Sequence, residues 1–192
     1  LDASEVTIET HVALQLHRVL SAAEQEVLIV SPYFVPTESL LGFFNELISE
    51  GIRVRILTNS LSANDVSLVH AGYLNHREAL LEMGVELFEY RDNPTQEHTR
   101  GHWYGSSRAS LHAKTITIDD RYVFVGSFNV DPRSMYLNTE MGVLIENKAM
   151  ADGFEKALGE SLITRAYEVT LVDGTLTWRT SIDGEEVLYD HE

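Results

Sequence analysis

Cysteine is absent from all 192 residues. That excludes disulfide frameworks, thiolate-ligated zinc and thiol nucleophiles, and leaves the redox compartment open. Basic residues are scarce: 14 Lys and Arg stand against 30 Asp and Glu, a net charge of −16. Such a chain repels polyanions on average. Its basic residues are scattered rather than gathered into the patch a nucleic-acid binder needs, so no nucleic-acid partner is expected. A broad surface for anionic lipid is disfavoured on the same ground, but a single buried phosphate site is not. No apolar run approaches the length of a membrane span and no signal peptide opens the chain, so the segment itself is expected to be soluble. What is present suits one globular domain: 44% of residues are hydrophobic and 23% charged, enough for a packed core.

The chain opens on Leu1 rather than Met and stops at Glu192 directly after a strand-like run. Both ends point to a piece of a longer protein.

Ile8, Val12, Leu16, Val19, Leu20 and Ala23 recur at helical spacing and predict a helix over about 4 to 24. Val27 to Ser31 is a short apolar run of the buried, parallel-sheet kind, stopped by Pro32 and Pro36. Thr37 can cap a helix to about Ser49, with Leu40, Leu41, Phe44, Leu47 and Ile48 inward. Ile52 to Thr58 is a second strand. One longer helix, capped by Asn64 or Asp65, runs to Met83 and ends at Gly84; Val85 to Tyr90 is a third strand. This β-α-β-α-β order implies parallel strands with right-handed crossovers. Residues 91 to 110 read as a functional loop, with Trp103 and Tyr104 suited to packing or to an interface. Leu111 to Ile118 and Arg121 to Gly126 form a hairpin about Asp119-Asp120. Met141 to Ile145 is a further strand and 148 to 164 a helix. Three β-like runs follow, broken by Asp173-Gly174 and Asp183-Gly184, and could dock on a partner half or pair with another chain. The expected fold class is α/β, a mixed sheet flanked by helices on both faces. Residues 1–166 form the main unit and 167–192 a C-terminal β-hairpin extension.

The informative stretch is residues 111 to 143. His112 and Lys114, two apart on a strand, share a face. Ser127 and Asn129 sit two apart at the end of the neighbouring strand, which the hairpin brings beside them, and Glu140 can reach the same place. An imidazole, an ammonium, a hydroxyl and a carboxamide together suit an oxyanion with several oxygens, most simply a phosphate ester. No carboxylate or second imidazole lies at metal-ligand spacing, so metal-independent chemistry without a cofactor is expected.

His112-x-Lys114, then Asp119 and Gly126-Ser127-x-Asn129, at these spacings, resembles the HKD motif of the phospholipase D superfamily. Ser31-Pro32-Tyr33-Phe34-Val35-Pro36 and the run Asp131-x-Arg133-Ser134, Leu137-Asn138 and Glu140 are similar to elements of bacterial cardiolipin synthases. Thr58-Asn59-Ser60-Leu61 with Asp65, His70 and Tyr73 resembles the class that takes phosphatidylethanolamine as phosphatidyl donor. The resemblance implies a phospholipase D-like fold. It also implies phosphatidyl transfer through a phosphohistidine, with phosphatidylglycerol and phosphatidylethanolamine as lipid substrates. The place implied is the cytoplasmic side of the bacterial inner membrane, peripherally. His112 is then nucleophile or general acid. Lys114, Ser127 and Asn129 hold the phosphate, and Glu140 orients an imidazole. Tyr33, Phe34, Asp131, Arg133 and His70 are candidates to line the site, against plain packing or a structural Asp131–Arg133 ion pair. Asp119 lies about 16 Å along the strand from Lys114, at about 3.3 Å per residue, and faces the other way. It reads as structural, in a hairpin or an ion pair, as does Gly126.

The family uses two such motifs and this chain has one. The partner is expected to be an N-terminal half carrying the first motif, or else a second copy of the chain. Two other readings stand beside phosphatidyl transfer: a homodimeric phosphodiesterase or nuclease sharing one site, and a non-catalytic scaffold half.

Overall fold

The computed structural model describes residues 12–64, 66–91, 111–182 and 184–191. The N-terminal part of the first expected helix, Asp65 and the stretch with Trp103 and Tyr104 lie outside the described residues.

The apolar runs become the centre of the sheet. β1 (Glu26–Val30) pairs in parallel with β2 (Arg53–Asn59), and β2 with β3 (Glu86–Tyr90). β4 (Thr115–Ile118) lies antiparallel against β1 on its other side, followed outward by β5 (Tyr122–Gly126) and β6 (Gly142–Glu146). The three C-terminal runs join the same sheet. β7 (Ala166–Val172) pairs antiparallel with β3, and β8 (Thr175–Ile182) and β9 (Glu185–Tyr189) complete one nine-stranded sheet, ordered β6-β5-β4-β1-β2-β3-β7-β8-β9.

Alternation along the strands splits the core in two. One face carries Val27 and Ile29, Val54 and Ile56, Leu87, Ile116 and Ile118, packed against α1 (Val12–Leu20), α2 (Glu38–Ser49) and α4 (Arg77–Met83). The other carries Leu28, Val30 and Leu57 beneath Phe154, Leu158 and Leu162 of α6 (Lys148–Arg165). Helices on both faces of a mixed sheet are what the sequence predicts. α6 is also tied by charge: Glu155 receives Arg55 at 2.6 Å and the Thr117 hydroxyl at 2.7 Å.

Thr37 caps α2 by accepting from the Leu40 N–H, and Phe43 joins the expected buried side chains there. The single helix expected before β3 is two, α3 (Ser67–Leu74) and α4, broken at Asn75-His76. The break sets Arg77 beneath β3 and β8. Its guanidinium pairs at 2.9 Å with Glu89, which is fully buried and also accepts from Tyr73 Oη at 2.9 Å and Trp178 Nε1 at 2.8 Å. Burial pushes the Tyr73 phenol well above its usual pKa, and the Glu89 charge adds to that. This cluster locks β8 to α3, α4 and β3. No described helix is long and apolar enough to cross a membrane.

Candidate active site

β4 runs antiparallel to β1, with Thr115 opposite Val30. The start of β4 therefore lies at the carboxyl ends of the parallel strands, where open α/β sheets take their ligands. The strand is shorter than the sequence implies. Only Thr115–Ile118 is ladder, and residues 111 to 114, with His112 and Lys114, precede it. The reason is tertiary. Leu111 exchanges its backbone hydrogen bonds with the side chain of Asn59, its N–H donating to Oδ1 at 3.0 Å and its carbonyl accepting from Nδ2 at 3.3 Å. One rung persists past the strand, from Gly126 N–H to the Lys114 carbonyl at 3.2 Å. Lys114 thus lies across from Gly126, beside Ser127.

Gly126 faces Gly142 on β6. A Cβ on Gly142 would stand 2.2 Å from the Phe124 ring, and one on Gly126 2.5 Å from the Met141 carbonyl. The glycine pair lets the Phe124 ring lie over the rung and lets β6 approach closely. Ser127 then engages both ends of the Met141 peptide: its N–H donates to the carbonyl at 2.9 Å, and its hydroxyl accepts from the amide at 3.1 Å. The same hydroxyl donates to Glu140 Oε2 in a very short bond. Asn138 Nδ2 donates to Glu140 Oε1 at 3.0 Å, and Arg133 Nε donates to Asn138 Oδ1 at 3.2 Å.

Charge links these groups. Burial pushes the Lys114 ammonium below the usual lysine pKa, and the negative Glu140 partly opposes this. Burial alone would raise Glu140. Hydrogen bonds from Ser127, Asn138 and Ser134, with the nearby Lys114 charge, outweigh it and hold the carboxyl below its ordinary value. Lys114 Nζ also donates to the His112 carbonyl at 3.2 Å. Lys114, Ser127 and Glu140 therefore share one small volume. Among the described residues, Asn129 Oδ1 is buried with no hydrogen-bond partner. His112 is exposed. Glu140 accepts hydrogen bonds from Ser127, Asn138 and Ser134.

The remaining candidates sit as follows. Asp119 and Asp120 form the hairpin with φ of +52° and +50°, the conformation of a type I′ turn. The Asp119 carboxylate accepts from the backbone N–H groups of Glu24, Gln25 and Glu26 at 2.7 to 2.9 Å, so it fastens the entry to β1 at the far end of the strand. Phe34 is 1% exposed and belongs to the core, where its ring meets Tyr73 edge-on at 6.0 Å. Tyr33 is half-buried. Asp131 caps α5 (Pro132–Tyr136), accepting from the Ser134 N–H at 2.8 Å. Its side chain and that of Arg133 serve different partners rather than each other. His70, expected on a helix surface if it is not at the site, is 1% exposed and packs edge-on against Tyr73. The sequence motifs contain Ser31, Asn59 and Asn138 but suggest no role for them. The signal that could have found the first two is a polar residue closing an apolar strand.

The described residues hold no cluster of three or more His, Asp or Glu able to ligate a metal. An ammonium beside a hydrogen-bonded Ser–Glu pair, with an exposed imidazole two residues along the chain from it, can bind a tetrahedral oxyanion and attack or protonate it.

Known proteins resemble the chain in sequence and in fold. Cardiolipin synthase C of Escherichia coli (strain K12) is 41% identical over 184 residues, covering 93% of this chain but 38% of that protein. The crystal structure of Nuc from Salmonella typhimurium, a phospholipase D family member, superposes with a TM-score of 0.63 at 16% identity, covering 85% of this chain and 94% of that one. Phosphatidylserine synthase of Haemophilus influenzae superposes with a TM-score of 0.62 at 21% identity, covering 80% of this chain and 36% of that one. The chain thus spans well under half of its E. coli relative, and residues 16–162 match the family described as cardiolipin synthase, PLD-like domain. The chain belongs to the cardiolipin synthase PLD-like domain family, within the phospholipase D superfamily.

Proposed function

We propose that the chain is one motif-bearing half of a phosphatidyltransferase of the cardiolipin synthase kind. In this reading His112 supplies one of two imidazoles. One attacks the phosphorus of a phospholipid and forms a P–N bond as the P–O bond to the head-group alcohol breaks. The other protonates that leaving alcohol, then takes the proton from the acceptor alcohol that displaces histidine. Lys114, Ser127 and Asn129 hold the phosphate oxygens. Phosphatidylglycerol is the acceptor and, with phosphatidylethanolamine, a donor. The enzyme works peripherally at the cytoplasmic face of the inner membrane.

The observation that carries this reading is the one polar volume holding Lys114, Ser127 and Glu140. The second imidazole comes from another motif-bearing half, and the surface supports such docking. β6 is an edge strand, and Tyr136, Leu137, Met141, Val143 and Val125 stand exposed around the motif, Leu137 by 81%. An apolar collar of this kind marks an interaction surface. A half within the same polypeptide is favoured by the 38% coverage of the E. coli relative; a second copy is the alternative. The net charge of −16 counts against nucleic acid as substrate.

The test is phosphatidyl transfer by the full-length gene product on vesicles of phosphatidylglycerol, with and without phosphatidylethanolamine. Cardiolipin formation that a His112→Asn variant lacks supports the reading. Cleavage of DNA at low salt with no lipid product would replace it by the nuclease alternative.

A further inference from the structure

Neither segment of the motif is held by the sheet ladder alone. β4 begins at Thr115, after His112 and Lys114, and β5 ends at Gly126, before Ser127 and Asn129. Two buried side chains take over at the ends of adjacent parallel strands. Asn59, the last residue of β2, is 1% exposed. Its carboxamide offers Leu111 a donor and an acceptor, as a neighbouring strand would, and Nδ2 also donates to the Pro32 carbonyl at 3.3 Å. Ser31, directly after β1, is likewise 1% exposed. Its hydroxyl donates to the Tyr33 carbonyl at 2.7 Å and accepts from the Val130 N–H at 3.0 Å, while its own N–H donates to Leu57 at 3.0 Å. Val35 N–H to the Val130 carbonyl, at 2.7 Å, completes that anchorage.

Asn59 thus grips the residue before His112, and Ser31 grips the residue after Asn129. The two posts are joined, because Asn59 reaches the carbonyl of Pro32, the neighbour of Ser31. We infer that Asn59 and Ser31 are positioning residues. They set the gap between the His112 imidazole and the Asn129 carboxamide, and so the fit of that gap to a phosphate.

Buried polar groups at these posts are costly unless paired, and each is paired to the backbone of a motif segment rather than to an interior ladder. Reacting atoms must stand about 3–3.5 Å apart, and a displacement of about 1 Å costs on the order of 10²-fold in rate. A carboxamide that fixes main-chain placement one residue from the imidazole controls that distance without touching substrate.

The inference rests on the proposed transfer reaction, and its test separates the two. In the full-length gene product, Asn59→Asp keeps size and one acceptor but turns an oxygen toward the carbonyls of Pro32 and Leu111. The expected result is a kcat lowered by about 10²-fold with KM within about threefold. Ser31→Ala should lose about tenfold in kcat, and Ser31→Thr, which keeps the hydroxyl, should recover most of it. Glu89→Gln, one ladder position from Asn59 but on the opposite face of the sheet, serves as a control matched for loss of melting temperature. The His112 ring resonances, followed by NMR with labelled histidine, should shift in Asn59→Asp and Ser31→Ala and stay in place in Glu89→Gln. Resonances unmoved by the post variants, or a kcat that tracks melting temperature equally in all of them, would overturn the assignment. If the wild-type protein transfers no phosphatidyl group, the functional reading fails, while the His112 resonances still decide whether the posts position it.

Discussion

Two polar clusters in this sheet obey opposite rules. At the β3–β8 side, Arg77, Glu89, Tyr73 and Trp178 are buried, and the Glu89 carboxylate is held by three donors. At the β4–β6 side, His112 and Ser127 are exposed, Lys114 is only part-buried, and Asn129 keeps an unpaired oxygen. A charge taken from water for architecture needs a complete set of partners. A charge meant for a ligand is left incomplete, and its environment adjusts its protonation instead. On the proposed function, the difference separates structure from chemistry within one sheet, although both clusters read alike as scattered polar residues.

The comparison breaks first at Glu89. Replacing it by alanine leaves Arg77 buried without its partner and should cost about 3–5 kcal/mol of folding stability, read from denaturant midpoints. A loss below about 1 kcal/mol would show that the cluster is not structural. The reciprocal change is Lys114→Ala. It should lower turnover on the order of 10²–10³-fold, as expected for removing one preorganised charge at an oxyanion, with the melting temperature nearly unchanged. A large fall in melting temperature with modest loss of turnover would erase the distinction.

The subtlest contrast is in pH dependence. Burial lowers the Lys114 pKa, and Glu140 partly restores it. If the ammonium is needed, the alkaline limb of the rate profile falls below the range of an ordinary lysine. Glu140→Gln removes the restoring charge and should move that limb to still lower pH. Glu140 itself is depressed, so its contribution to stability is present above its unfolded-state pKa and is lost as pH falls through its folded-state value. The variant should therefore flatten the acid side of the stability curve. A limb moving to higher pH would contradict the assigned pairing.

How far the sequence foretells these features depends on whether the decisive interaction is local. The apolar runs of β1 and β2 and the Thr37 cap are legible because burial and capping act within a few residues. The short start of β4 is not, since Asn59 holds Leu111 from 52 residues away. The break between α3 and α4 carries no Gly or Pro at Asn75-His76, and its rationale is the remote Arg77–Glu89 pair. β7 takes its place through pairing with β3, invisible in a local hairpin signal. Asp131-Pro132 is legible as a helix start, Pro at the first helical position after a capping Asp. Within the site, the spacing of the motif exposed His112, Lys114, Ser127 and Asn129 as candidates. The Ser31 and Asn59 posts emerge only when the strands are assembled.

The central claim is that His112, Lys114 and Asn129 jointly receive a tetrahedral phosphate. The most direct measurement is a crystal structure of the full-length gene product soaked with tungstate, a phosphate mimic. The oxyanion should lie within hydrogen-bond reach of Lys114 Nζ and Asn129 Nδ2 with the His112 imidazole facing it. Tungstate bound elsewhere, with these three side chains unengaged, would contradict the account.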